Sequence, residues 1–134
     1  MADMRVSLKW PDKILSPNSR THWRKRSEVV RAYRWAAKVR TRSAIQLYKW
    51  DLKRLREVVA AGGCLHVFIE FYPPDARRRD DDNLVASFKS GRDGLADALK
   101  IDDRHFRIHP RLMSGQIYPG GMVMVTIREE GPEA

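Results

Sequence analysis

The chain has 134 residues and a mass of 15.6 kDa, room for one domain, and its 43% hydrophobic and 32% charged residues are the balance of a protein that buries a core. A net charge of +9 and a pI near 10.1 point to a polyanionic partner, and the longest apolar runs fall far short of the ~20 residues a membrane-spanning helix needs, so a membrane partner is excluded. Cys64 is the one cysteine, which rules out an intramolecular disulfide and a cysteine-based zinc site; with no apolar signal segment in Met1 to Arg5, a reducing cytoplasm is the expected location.

Arg5 to Trp10 alternates apolar and polar side chains, the period of a half-buried strand, and Pro11 stops it. Ser16 to Arg20 is a loop by composition. From Trp23 to Val39, the residues Val29, Val30, Tyr33, Ala36 and Ala37 recur at three- and four-residue steps and predict a helix, with Arg31, Arg34 and Lys38 on its polar side. A second helix is predicted from about Ser43 to Ala61, buried through Leu47, Leu52, Leu55 and Val59 and ended by Gly62-Gly63. Cys64 to Tyr72 is short and rich in β-branched and aromatic residues, a strand that Pro73-Pro74 terminates.

Beyond a charged loop, one helix is predicted over Leu84 to Leu99, with Asp82 or Asn83 as its cap. Gly91 and Gly94 weaken it by up to ~1 kcal/mol each relative to alanine. Strands follow at His105 to His109 and, after a Pro119-Gly120-Gly121 turn, at Gly121 to Arg128; Glu129 to Ala134 reads as a frayed tail. There are no internal repeats. This succession is that of an α+β domain with helices packed on a small mixed β-sheet.

The charge is unevenly placed, with a net of +11 over residues 1–60 and −2 over residues 61–134. The acidic excess is clustered: Asp80, Asp81 and Asp82 follow three arginines, and Asp102-Asp103 comes about twenty residues later. Two readings stay open. An aspartate run beside a helix start is most often a solvated cap favoured by the helix dipole. Alternatively, three carboxylates from the two segments converge on a hard, all-oxygen site for Mg²⁺ or Mn²⁺, whose charge offsets their repulsion and whose free positions accept phosphate oxygens. An EF-hand does not fit, because counting from Asp80 puts Val85 at its glycine and Gly91 at its final glutamate. Lys89, seven residues after Asp82 and on nearly the same helical face, either stabilises charge on a scissile phosphate or pairs with Asp93 at i+4. Arg77, Arg78 and Arg79 either bind phosphates or balance the aspartates. His22, His66, His105 and His109 are scattered and none is assigned to catalysis; Trp23, Tyr33 and Trp35 sit at helical spacing that more often serves a core than base stacking.

The run Arg78-Arg79-Asp80-Asp81-Asp82-Asn83-Leu84, followed by Lys89, Asp93-Gly94-Leu95, Asp97-Ala98 and Asp102-Asp103, resembles the RusA family of Holliday-junction resolvases, whose core is an R-D-x-D-N segment, a helix with a lysine, and a D-D pair. Trp10-Pro11, Ser16-Pro17-Asn18 and Trp23-Arg24 are similar to that family's first strand and Pro-Ser-Asn loop, and Glu28 with Ala32-Tyr33-Arg34 to its first helix. The resemblance implies a homodimeric, Mg²⁺-dependent endodeoxyribonuclease, with Mn²⁺ as a substitute, that resolves four-way DNA junctions by paired nicks in recombination and repair. The catalytic and metal-holding aspartates then fall on Asp80, Asp82 and Asp103, and the functional lysine on Lys89; the choice of Asp103 over Asp102 rests on alignment. The resemblance also implies a bacterial cell, with either a chromosomal or a phage gene.

Two features depart from the pattern. The aspartate-to-lysine spacing is seven residues rather than four, close to one helical turn more, and the stretch 43–63 looks longer than usual and suggests an extra helical element. The DNA face is expected from Asn18, Arg20, Arg24, Lys25, Arg26, Arg31 and Arg34, with Arg78 and Arg79 beside the acidic run. A junction's two-fold symmetry suits an isologous dimer. The rivals are a broader flap or fork nuclease of phage replication and a basic DNA-binding protein without catalysis.

Overall fold

The computed structural model describes residues 4–132. Four strands form one sheet in the order β1-β4-β2-β3, made of β1 (Met4–Lys9), β2 (Leu65–Tyr72), β3 (Phe106–Leu112) and β4 (Met122–Arg128). β4 lies antiparallel between β1 and β2, and β3 runs parallel to β2, so the sheet is mixed, as expected. The register puts Val6 opposite Val125, Leu8 opposite Val123, and Val67 opposite both Ile127 and Ile108. These alternate residues share one face, and strict period-two burial through Leu65, Val67, Ile69 and Phe71 makes that face the floor of the core.

The helices α1 (Trp23–Tyr48), α2 (Leu52–Ala60), α3 (Asp81–Ser87) and α4 (Lys89–Leu99) contribute Ala37, Ala44, Leu55, Leu84, Leu95 and Leu99 to the same core. The mixed α+β class is as the sequence predicts, whereas three boundaries are not. The expected break near residues 40–42 is absent, because Thr41 and Ala44 continue the inward face of α1 and nothing there interrupts the backbone ladder. The chain turns instead at Lys49, which takes a left-handed conformation (φ 52°), and Asp51 then caps α2 by accepting from the Arg54 N–H at 3.0 Å. The stretch 43–63 is therefore the last turns of α1 followed by α2.

The single helix expected over 84–99 is two. Phe88 is driven into the core, edge-on to Tyr33 and Phe71, and its N–H is shared between the Leu84 and Val85 carbonyls at 3.1 and 3.2 Å, so α3 ends there and α4 starts at Lys89. Gly94 has a packing reason: a Cβ there would lie 2.8 Å from the Cβ of Ala37 and closer still to the Arg34 carbonyl, so glycine lets α4 press against α1. The third difference concerns the tail. Glu129 accepts from both Nε and Nη2 of Arg54 at 2.7–3.0 Å and pins the end of β4 to α2 rather than fraying. Residues 133–134 of the expected tail and the first three residues of the expected signal-free N-terminus lie outside the described residues.

Candidate functional site

The acidic run sits where β2 hands over to α3. Asp80, in an extended conformation, is the N-cap of α3: its Oδ1 accepts from the backbone N–H of Asp82 at 2.8 Å and of Asn83 at 3.3 Å. Capping thus falls two or three residues earlier than the expected Asp82 or Asn83, because the helix begins at Asp81. Asp81 and Asp82 occupy the first turn and are exposed, where the helix dipole favours negative charge.

The second acidic segment returns along α4. Asp102 caps the 3-10 turn Asp103–His105 by accepting from the Arg104 N–H at 2.9 Å, while Asp103 points at the first turn of α4. Lys89 donates to Asp103 Oδ2 at 2.7 Å and to Asp93 Oδ1 at 2.9 Å, and Arg92 Nε donates to Asp103 Oδ2 at 3.2 Å. The expected i+4 pairing of Lys89 with Asp93 is therefore present, and beside it stands a tertiary pairing with Asp103, fourteen residues on, that no local spacing announces. The Lys89 hydrogen bond, ahead of some opposing burial, holds the Asp103 carboxyl below its usual range. Burial opposes the charge on Lys89, but its bonds to Asp103 and Asp93 outweigh that and raise its pKa. Lys89 keeps about half its side-chain surface in water (53% exposed), so this is an accessible, pre-oriented cation. Arg92 and Asp93 were not among the expected site residues; their spacing of three and four from Lys89 was the readable signal.

The 3-10 turn after α4 sets Asp103 against Lys89 and Arg92. Among the described residues, no three His, Cys, Asp or Glu side chains stand close enough to hold a metal ion.

The basic residues divide into two groups. Arg26 donates to the carbonyls of Ile14, Leu15 and Ser16 and holds the loop that leads into α1. Arg34 forms a two-pronged pair with Asp97 at 2.7 and 2.9 Å, tying α1 to α4 and holding the Asp97 carboxyl below its usual range. Arg79 is nearly buried, pairs with Asp75 at 2.8 Å and lies over the Trp10 ring at 5.4 Å. These three are anchored by internal contacts. Asn18, Arg20, Arg24, Lys25, Arg31 and Arg78 are exposed, with Arg24 over the ring of Trp23 at 5.3 Å. A groove of about 310 Å³ runs from Trp10 and Lys13 to Arg77–Asp80 and joins the entry loop to the acidic run.

No known protein family's sequence model matches the chain. Over 122 residues it is 44% identical to an uncharacterized protein of Xylella fastidiosa, covering 91% of this chain and 74% of that protein. The chain belongs to that protein's family. Among the described residues no helix is long and apolar enough to cross a membrane.

Proposed function

We propose that the protein is a RusA-like, structure-specific endodeoxyribonuclease that works as a homodimer on branched DNA in the bacterial cytoplasm, with four-way junctions as its preferred substrate. The observation that carries this reading is the Lys89–Asp103 contact: two pieces of the resemblance, separate in sequence, meet in a partly exposed ionic cluster. Lys89 and Arg92 offer two cations to a scissile phosphate, and Asp103 fixes where both point. Because its pKa is raised, Lys89 remains a cation, which suits stabilising charge that builds on the phosphate better than donating a proton to the leaving oxygen. The exposed Arg20, Arg24, Lys25, Arg31 and Arg78 would take flanking phosphates without reading sequence.

A Mg²⁺ or Mn²⁺ ion held by Asp80, Asp82 and Asp103 does not fit these side chains as they stand. Asp80 is engaged in capping, Asp103 is neutralised by two cations, and no three-ligand group exists among the described residues. The divalent-ion requirement that the resemblance implies is part of the proposal and is read from the Mg²⁺, Mn²⁺ and chelator arms of its test.

The same observation favours a second reading, a basic DNA-binding protein without catalysis. Incubating the purified protein with a labelled four-way junction, a flap and a fork, each with Mg²⁺, with Mn²⁺ and with chelator, separates the alternatives. Paired nicks in the junction alone support a resolvase, cutting of flaps and forks a broader branch nuclease, and binding without cutting in any divalent ion the non-catalytic protein.

A further inference from the structure

The loop 113–121, between β3 and β4, holds two large apolar side chains out of the fold: Ile117 is 52% and Tyr118 49% exposed. The turn that presents them is anchored through its backbone. The Tyr118 N–H donates to the Pro73 carbonyl at 2.9 Å, and the Tyr118 carbonyl accepts from the Gly121 N–H at 2.7 Å. Gly121 packs so closely on Trp10 that a Cβ there would lie 2.7 Å from the Trp10 Cβ, and its φ of 76° suits glycine. Trp10 is itself fixed edge-on to Phe71 at 6.1 Å and lies under the Arg79 guanidinium. The same indole therefore braces the loop 113–121 and the loop that leads into α3. On that second loop Arg79 is occupied with Asp75, which also accepts from the Arg77 N–H at 3.0 Å, and Asp80 is occupied in capping. Arg77 and Arg78 stay exposed and line, with Pro73 and Ser114, a groove of about 260 Å³. The exposed carboxylates that follow, Asp81 and Asp82, stand on the first turn of α3 and do not line this groove.

We propose that Tyr118, with Ile117 beside it, stacks on an unpaired base of a DNA strand whose neighbouring phosphates lie against Arg77 and Arg78. This inference rests on the DNA-binding reading above and adds to it the residue that tells a branch from a plain duplex. The size of the tip selects the occupant. A stable protein–protein contact buries about 800 Å² on each partner, and two half-exposed side chains offer a small part of that. One nucleobase, in contrast, is matched by one aromatic ring. A duplex hides the faces of its bases, whereas a branch or an unpaired strand offers them. Because backbone bonds already fix the turn, little further ordering opposes the stacking. Arg77 and Arg78 would position the strand without reading its sequence. This contact does not depend on cleavage, and a protein that cuts nothing can still make it.

The test is fluorescence anisotropy of the full chain, in chelator, with a labelled fork whose two arms are unpaired and with a plain duplex of the same length. Tyr118→Ala is expected to weaken fork binding about fivefold or more and to leave duplex binding unchanged. Tyr118→Phe, which keeps the ring and removes the hydroxyl, is expected to bind the fork as the wild type does. Both variants keep the backbone anchors of the turn, and circular dichroism checks the fold. Fork binding by the wild type that Tyr118→Ala leaves unchanged overturns this inference while the nuclease reading stands. So does an equal loss on fork and duplex, which would make Tyr118 a general DNA contact, or a loss that Tyr118→Phe shares, which would assign the effect to the hydroxyl. A change of oligomeric state in Tyr118→Ala, by light scattering, with fork binding intact would give the tip to a second copy and overturn it too. Absence of DNA binding by the wild type would remove this inference and the DNA-binding reading together.

Discussion

The two acidic segments have contrasting surroundings. At the start of α3, the Asp80 carboxylate is satisfied by its own neighbours, the N–H groups of Asp82 and Asn83, and the segment is complete without the rest of the fold. At the start of α4, Asp103 is satisfied only by Lys89 and Arg92, which the chain reaches after eleven residues of helix and a turn. A local contact of the first kind is present in most aspartate-capped helices and says little about function. A tertiary contact of the second kind places a solvent-accessible cation at a fixed point, and that is the part of the arrangement to which the proposal gives a catalytic role.

Variants sharpen this contrast. The largest effect is expected at the tertiary cluster: Lys89→Ala or Asp103→Asn should reduce junction cutting about a hundredfold or more, in the range seen for loss of one charge-stabilising group. DNA binding and unfolding midpoint should stay near wild type, as the paired groups are partly exposed and such pairs contribute at most ~1 kcal/mol. Next in size is Gly94→Ala, where a methyl group meets backbone and the Ala37 side chain; urea unfolding should show a loss of about 1–3 kcal/mol, and wild-type stability would mean that α1 and α4 can separate freely. Asp80→Ala, the local counterpart, should cost about 0.5–2 kcal/mol through removal of the cap.

The smallest effect concerns pH. Asp103 has a folded pKa below its ordinary value of 3.8, so its contribution to stability is complete above that value and is lost as the pH falls below it. Unfolding curves taken between pH 6 and pH 3 should therefore fall less steeply for Asp103→Asn than for the wild type; parallel curves would deny the pair any role in stability.

The strands were legible from the period-two alternation of Arg5 to Trp10 and from the β-branched and aromatic residues of Cys64 to Tyr72, and the glycines and prolines around them mark real turns. The helix boundaries were less so. Nothing local announces that Phe88 leaves the helical path, since the force that pulls it is the aromatic pocket formed by Tyr33 and Phe71 from distant parts of the chain. The same limit applies to the site. The i+4 spacing gave Lys89 with Asp93, and the motif gave Lys89 together with Asp103. That Arg26, Arg34 and Arg79 are tied to internal partners depends on carbonyls and carboxylates brought near by the fold, and no composition of basic residues reveals it. A variant meant to weaken DNA binding should therefore neutralise Arg20, Arg24 and Lys25 and leave Arg26 alone, with a reduced salt dependence as the expected result.

The central claim is that Lys89, set in place by Asp103, acts on a DNA phosphate. Single-turnover cutting of a labelled four-way junction in Mg²⁺ and in Mn²⁺, wild type beside Lys89→Ala, tests it. Paired nicks by the wild type, nearly abolished in the variant at saturating protein, are the predicted result. Equal cutting by the two proteins, or none by the wild type in either ion, would contradict it.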